Sequence, residues 1–113
     1  MAGFKDLEGK KMIILPRYTR RNNFNWHIFY IRAHSKQKRD YVLKNLKEKG
    51  IKASFHFVPL HLSPYAKKEY KYKKGDFPIT EKVSQTLIRL PIYPGLSNME
   101  QEHIIDSLHA VLN

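Results

Sequence analysis

Cysteine is absent from the chain. That excludes disulfide staples, Cys-ligated zinc, iron–sulfur clusters and a thiol nucleophile. Long apolar runs are missing too, and none approaches the roughly 18 residues that a membrane span needs. The opening stretch, residues 1–11, carries no apolar core of a secretory signal, so the expected location is cytoplasmic with no membrane partner. None of the patterns G-x-G-x-x-G, G-x-x-x-x-G-K-[ST] or G-x-S-x-G occurs, which removes the sequence signatures of dinucleotide, P-loop and serine-hydrolase sites. Acidic residues are scarce, 10 against 21 Lys and Arg, leaving a formal net charge of +11.

What is present suits a folded domain. The length of 113 residues is one domain's worth. A hydrophobic fraction of 42% with 27% charged residues is ordinary for a globular chain and argues against wholesale disorder. The positive charge is uneven. Residues 1–50 hold 13 Lys and Arg against 4 Asp and Glu, residues 51–75 hold 6 against 1, and residues 76–113 hold 2 against 5. A basic face of this kind favours polyanions: nucleic acid, anionic lipid or phosphorylated small molecules.

Along the chain, residues 4–11 read as a polar helical piece closed by Gly9. Residues 12–15 are a short apolar run stopped by Pro16, and residues 17–25 a basic connection. Residues 26–31 read as a strand, rich in aromatic and β-branched side chains, with both faces largely apolar. Residues 36–49 read as a helix capped by Ser35, with Val42, Leu43 and Leu46 as its apolar stripe and Gly50 in the left-handed position after its end. Residues 51–58 read as a second strand, Ile51, Ala53, Phe55 and Phe57 on one face, ended by Pro59. Residues 60–65 read as a loop, 66–74 as a short basic, aromatic helix, and 76–78 as a turn. Thr80 is placed to cap a helix over residues 81–87, with Ile79, Val83 and Leu87 on one face, and residues 89–93 read as extended. Ser97 and Glu100 form a capping box, and Ile104, Ile105, Leu108, Val111 and Leu112 mark the face of a last helix. The expected fold is α+β, a small antiparallel or mixed sheet with helices packed on it.

Six histidines, at 27, 34, 56, 61, 103 and 109, raise the question of a metal. They form no H-E-x-x-H and no i, i+4 pair on an expected helix, and no third zinc ligand can be named. The segment 56–61, His-Phe-Val-Pro-Leu-His, places two imidazoles around a proline-broken strand end. Such loops carry binding groups, and imidazole hydrogen-bonds hydroxyls or phosphate and moves protons near neutral pH. The ordinary alternative is a strand-end residue followed by a chain turn. Residues 67–74, Lys-Lys-Glu-Tyr-Lys-Tyr-Lys-Lys, mix cations with rings as nucleic-acid grooves do. The ordinary alternative there is a solvated basic turn, and the RNA-recognition signature is missing. No self-contained active site assembles from these residues.

Taken in order, the segments resemble a known pattern. They are Trp26-His27-Ile28-Phe29-Tyr30-Ile31-Arg32; Leu46 to Ile51; His56-Phe57-Val58-Pro59-Leu60-His61-Leu62-Ser63-Pro64; Asp76-Phe77-Pro78; Thr80-Glu81-Lys82-Val83; and Arg89-Leu90-Pro91-Ile92-Tyr93. The series is similar to the C-terminal small domain of the DegT/DnrJ/StrS family of sugar aminotransferases, which use pyridoxal phosphate (PLP) on aminotransferase fold type I. The dTDP-4-oxo-6-deoxyglucose aminotransferase type comes nearest. The resemblance covers residues 12–113 as one small domain and leaves 1–11 as an N-terminal extension or the end of a connecting helix. It implies a full-length enzyme that passes the amino group of glutamate through PLP to a nucleotide-linked 4-keto-6-deoxy sugar, in cell-surface polysaccharide biosynthesis. It implies a homodimer and a large domain that this chain lacks, along with the Schiff-base lysine, so that the chain alone is expected to bind no PLP and to be inactive. On the matching loop, His56 and His61 are expected to contact substrate and Phe57 to line the pocket. Arg89, expected at the end of the third helix, would meet a carboxylate or phosphate through its bidentate fork. The alternative is a small basic module for nucleic acid or another polyanion, which the ordered series disfavours.

Overall fold

The computed structural model describes residues 2–17 and 25–113. Helix α1 spans Lys5–Gly9, following a 3-10 turn at Ala2–Phe4. Strand β1 is Phe29–Arg32 and helix α2 is Lys36–Glu48. A 3-10 turn at Leu60–Leu62 leads into α3, Pro64–Tyr70, and then α4, Pro78–Thr86. Strand β2, Leu87–Leu90, and helix α5, Asn98–Leu112, complete the order. Most of the connection expected over 17–25 lies outside the described residues.

The two long helices start and stop where their local chemistry dictates. Ser35 Oγ accepts the Lys38 N–H at 3.1 Å and opens α2. Gly50, at φ +76°, closes it. The Ile51 N–H reaches Leu46 O at 2.9 Å and the Gly50 N–H reaches Lys47 O at 3.0 Å, the paired bonds of a Schellman motif. Ser97 and Glu100 cap α5 reciprocally: the Glu100 N–H donates to Ser97 Oγ at 3.2 Å, and the Ser97 N–H to Glu100 Oε2 at 2.8 Å. Val42 and Leu46 of α2 are buried with Ile104, Leu108, Val111 and Leu112 of α5, in one core shared with Ile31, Ile88 and Leu90 of the sheet.

The sheet is a two-stranded antiparallel pair, with Phe29 opposite Leu90, Tyr30 opposite Arg89, Ile31 opposite Ile88 and Arg32 opposite Leu87. Single antiparallel bridges extend it on both sides, Ile14 to Arg32 and Ser54 to Arg89. The α+β expectation holds, but the strands are shorter than their composition suggests. Trp26 sits at φ +50°, so β1 begins only at Phe29. The strand expected over 51–58 does not form. The Ile51 N–H is taken by the end of α2 and the Ala53 N–H by Ile51 O, which leaves Ser54 to make one bridge. Beyond it Phe55, Phe57 and Val58 are exposed.

Proline accounts for the other differences. Pro64 and Pro78 each stand in the first turn of a helix, where a fixed φ is favourable and a missing N–H harmless. The expected loop at 60–65 therefore contains a 3-10 turn and the start of α3, capped by Ser63 Oγ on the Ala66 N–H at 3.1 Å. Helix α4 begins at Pro78, so Thr80 lies inside it and is not its cap. Ile79 is 80% exposed rather than on a buried face, and Leu87 belongs to β2. The N-terminal piece carries more than polar residues: Phe4 and Leu7 are buried in the main core, Phe4 stacking on Phe29 at 6.0 Å. No helix among the described residues is long and apolar enough to cross a membrane.

Candidate functional site

The loop after the Ser54 bridge is laid against α4. Ser84 Oγ donates to Phe57 O at 2.9 Å, and the 3-10 turn at 60–62 brings His61 inward. His61 is buried, and its Nε2 lies 3.0 Å from Oε1 of Glu81, itself buried on α4. The same oxygen accepts the Gly75 N–H at 2.7 Å. An ionised carboxylate only accepts, so the His61 proton sits on Nε2. The His61 N–H foremost, then that of Gly75, hold the Glu81 carboxyl below the usual range, against burial acting the other way. The Phe77 ring covers His61 at 4.8 Å between centroids.

His56 and Phe57 precede this arrangement on the same loop. Their rings meet edge-on at 4.4 Å, and Phe57 is 68% exposed. His56 Nδ1 is a buried atom with no hydrogen-bond partner, an uncommon state that calls for a partner to complete it. Phe57, Val58, Pro59 and Leu62, with Arg39 and Phe55 beyond, border a concavity of about 260 Å³ that reaches Glu81, Ser84 and Gln85. Arg39 is buried and binds Asp40 Oδ1 at 2.6 Å, with its guanidinium 5.9 Å from the Phe55 ring centroid. His61 opens on the other side into a second, aromatic concavity of about 530 Å³.

Arg89 is not at a helix end. It is the third residue of β2, opposite Tyr30, because the chain turns extended directly after Thr86. Its backbone exchanges both bonds with Ser54, at 2.7 and 3.1 Å, which lays Arg89 beside the segment that leads to His56. Among the described residues no carboxylate pairs with its guanidinium. The structure thus brings His56, Phe57 and His61 onto one loop over α4, with Arg89 at the loop's root. The sequence reading gives Glu81 no role beyond the first position of the helix expected over residues 81–87. The Phe-Pro pair at 77–78 is the signal that starts the helix earlier and makes Glu81 its fourth residue rather than its first.

PLP is the cofactor that the resemblance implies, and the described residues do not fit its attachment. A Schiff-base lysine needs a desolvated, deprotonated amine. Every described lysine is exposed except Lys38, which is half-buried with its ammonium 5.2 Å from the Tyr41 ring centroid. Nor is any group of three or more His, Asp or Glu among the described residues placed to hold a metal ion.

Comparison with known proteins gives a consistent result. The profile of the DegT/DnrJ/EryC1/StrS aminotransferase family matches residues 1–109. An uncharacterized protein of Methanocaldococcus jannaschii is 38% identical over 111 residues, which are 96% of this chain and 27% of that protein. The spore coat polysaccharide biosynthesis protein SpsC of Bacillus subtilis is 29% identical over 91 residues, 77% of this chain and 23% of that protein. The crystal structure of S. venezuelae DesV in complex with a ketimine intermediate superposes with a TM-score of 0.83 at 29% identity, over 96% of this chain and 28% of that one. The chain spans about a quarter of the length of each.

Proposed function

The chain belongs to the DegT/DnrJ/EryC1/StrS aminotransferase family, and from that premise we propose that it is the C-terminal part of a sugar-nucleotide aminotransferase. The complete enzyme takes the amino group of glutamate onto PLP and passes it to a nucleotide-linked 4-keto-6-deoxy sugar, in the making of cell-surface polysaccharide. The match over residues 1–109 carries this reading, and similarity to a spore coat polysaccharide biosynthesis protein supports the pathway class. The cofactor lysine and the acid facing the pyridine nitrogen come from a large domain outside this chain, and the active enzyme is a homodimer. The 113 residues alone hold no PLP and do not transaminate.

Within that enzyme the loop 56–61 forms one wall of the substrate cleft. His56 meets the substrate from this wall. Phe57 offers an apolar face to the sugar ring. His61 is fixed through Nε2 by Glu81 and acts through its other nitrogen, and Arg89 meets an anionic group at the base of the loop.

The test is glutamate-dependent amination of a dTDP-4-keto-6-deoxyhexose by the full-length protein. Turnover is expected, with His56→Ala and His61→Gln lowering it about tenfold, the size of one lost substrate hydrogen bond, and with unchanged circular dichroism. No amination by the full-length protein, or full activity in both variants, defeats the respective part of the reading. The 113-residue chain mixed with PLP is expected to show no aldimine absorbance band.

A further inference from the structure

Every residue from Lys67 to Thr80 is exposed, along a stretch that runs from within α3 to the start of α4. It carries a continuous series of rings. Tyr65 meets Tyr70 at 6.1 Å, Tyr70 meets Tyr72 at 6.0 Å, and Tyr72 meets Phe77 at 5.5 Å. Tyr65 and Tyr70 are mostly exposed, and Ile79, just beyond Phe77, is 80% exposed. The rings touch one another and still leave an apolar surface open to water, the kind of patch that marks an interaction site.

The backbone keeps this surface in shape. Lys71 ends α3 in the left-handed region at φ +59°, unfavourable for a residue with a Cβ, and this turn returns Tyr72 to Tyr70. The Lys73 N–H donates to Asp76 Oδ2 at 2.9 Å, and the Gly75 N–H to the buried Glu81 carboxylate at 2.7 Å. The exposed rings are thus tied to the body of the domain.

Lysines are interleaved with the rings. Lys67, Lys68, Lys71, Lys73 and Lys74 stand against Glu69 and Asp76. Among the described residues only Lys68 of the five is in an ion pair, with Glu69 at 3.8 Å. Lys74 also borders a neighbouring concavity with His34, Lys36 and Lys82, so the cationic region continues past the rings. This composition narrows the choice of partner. The centre of a protein interface is depleted in lysine, which makes the part of the enzyme outside this chain a poor occupant. Nucleic acid stacks its bases on rings but gains nothing from an exposed isoleucine. An anionic bilayer uses every component. Tyrosine rings rest at the headgroup level, an aliphatic side chain enters the acyl boundary, and lysines lay their stems along the apolar surface with their ammonium groups among the lipid phosphates.

We propose that this surface seats the protein on an anionic lipid bilayer as a peripheral contact. It departs from the expectation of no membrane partner, which concerned spanning and secretion; a peripheral contact requires neither. It is independent of the reaction proposed above, in which Tyr70, Ile79 and these lysines have no part.

The test is co-sedimentation of the full-length protein and of the 113-residue chain with two kinds of vesicle, phosphatidylcholine alone and phosphatidylcholine with about a third phosphatidylglycerol. Both proteins should bind the anionic vesicles about tenfold more tightly or better, and release them as salt is raised. Lys73→Gln and Lys74→Gln should each weaken binding about fivefold, the contribution of one lysine at such a surface. Tyr70→Ser and Ile79→Ser should each weaken it about fivefold through lost apolar contact, all four with unchanged circular dichroism. A polarity-sensitive fluorophore on Ile79→Cys, then the single cysteine of the 113-residue chain, should shift to the blue on anionic vesicles. Equal binding to the two kinds of vesicle, no effect of the four substitutions, or no spectral shift at position 79 overturns the proposal. So does binding by the 113-residue chain that the full-length protein lacks, because the rest of the enzyme would then cover the surface. Release from anionic vesicles by oligothymidine at a concentration equal to that of the accessible lipid overturns it in favour of nucleic acid.

Discussion

A carboxylate taken out of water must find donors or give up its charge. Glu81 finds two on one oxygen, His61 Nε2 and the Gly75 N–H, and so ties α4 to the loop before α3 and to the loop after it. Its pKa lies below the ordinary value, chiefly through the His61 hydrogen bond. The native state therefore binds this proton less readily than the unfolded chain does. The resulting stability is fully present above the unfolded pKa, about 4.3, and is lost as the pH falls through the depressed folded value. Glu81→Gln keeps the shape and removes the charge. It should melt below the parent chain at pH 6, with the two curves converging as the solution is acidified below about pH 4. Thermal melts across pH 3 to 7 check this, and a difference independent of pH would show that Glu81 acts by shape alone.

Elements with a local cause were readable in advance, and those with a distant cause were not. The Ser-x-x-Glu at 97–100 declares the start of α5, and Ser35 and Gly50 bracket α2, because a cap involves only neighbours in sequence. Removing the box with Ser97→Ala should cost about 1 kcal/mol, measurable as a lower urea midpoint at unchanged slope. A loss near zero would mean that burial of Leu108 and Val111 alone fixes the helix. The segment 51–58 shows the other case. Its alternation and aromatic content favour a strand, yet two of its first three donors are occupied locally and only Ser54 pairs. The candidate site divides in the same way. His56, Phe57 and His61 stand out because a proline-broken loop is visible in the sequence. Glu81 does not, since its partner lies 20 residues away and the Pro78 start that orients it reads equally as a turn. Arg89 was recognisable as a residue but not by position, because the change from helix to strand after Thr86 is set by pairing with β1.

The molecule is more extended than its length requires. The radius of gyration is 15.7 Å, against about 13 Å for a compact domain of this size, and its exposed apolar side chains include Trp26, Phe57, Leu60 and Met99. Closure of the core nevertheless joins the two ends of the chain. A Cβ at Gly3 would come within 2.7 Å of the Ile105 side chain, so the N-terminal turn lies directly on α5. His109 Nε2 meets Gly3 O at 3.0 Å, and its Nδ1 lies 3.4 Å from Asp6. Leu7 has no exposed surface and shares the core cluster with Leu108 and Leu46. Residues near the start should therefore be as important to stability as those of the long helices. Leu7→Ala is expected to destabilise by about 3 kcal/mol, within the range for large-to-small core changes, and to match Leu108→Ala in a urea titration. The transition should stay single, because the cavity opens in the core that α2, α5 and the sheet share. A loss below about 1 kcal/mol for Leu7→Ala beside a full loss for Leu108→Ala would mean that α1 rests on the domain without being part of its cooperative unit.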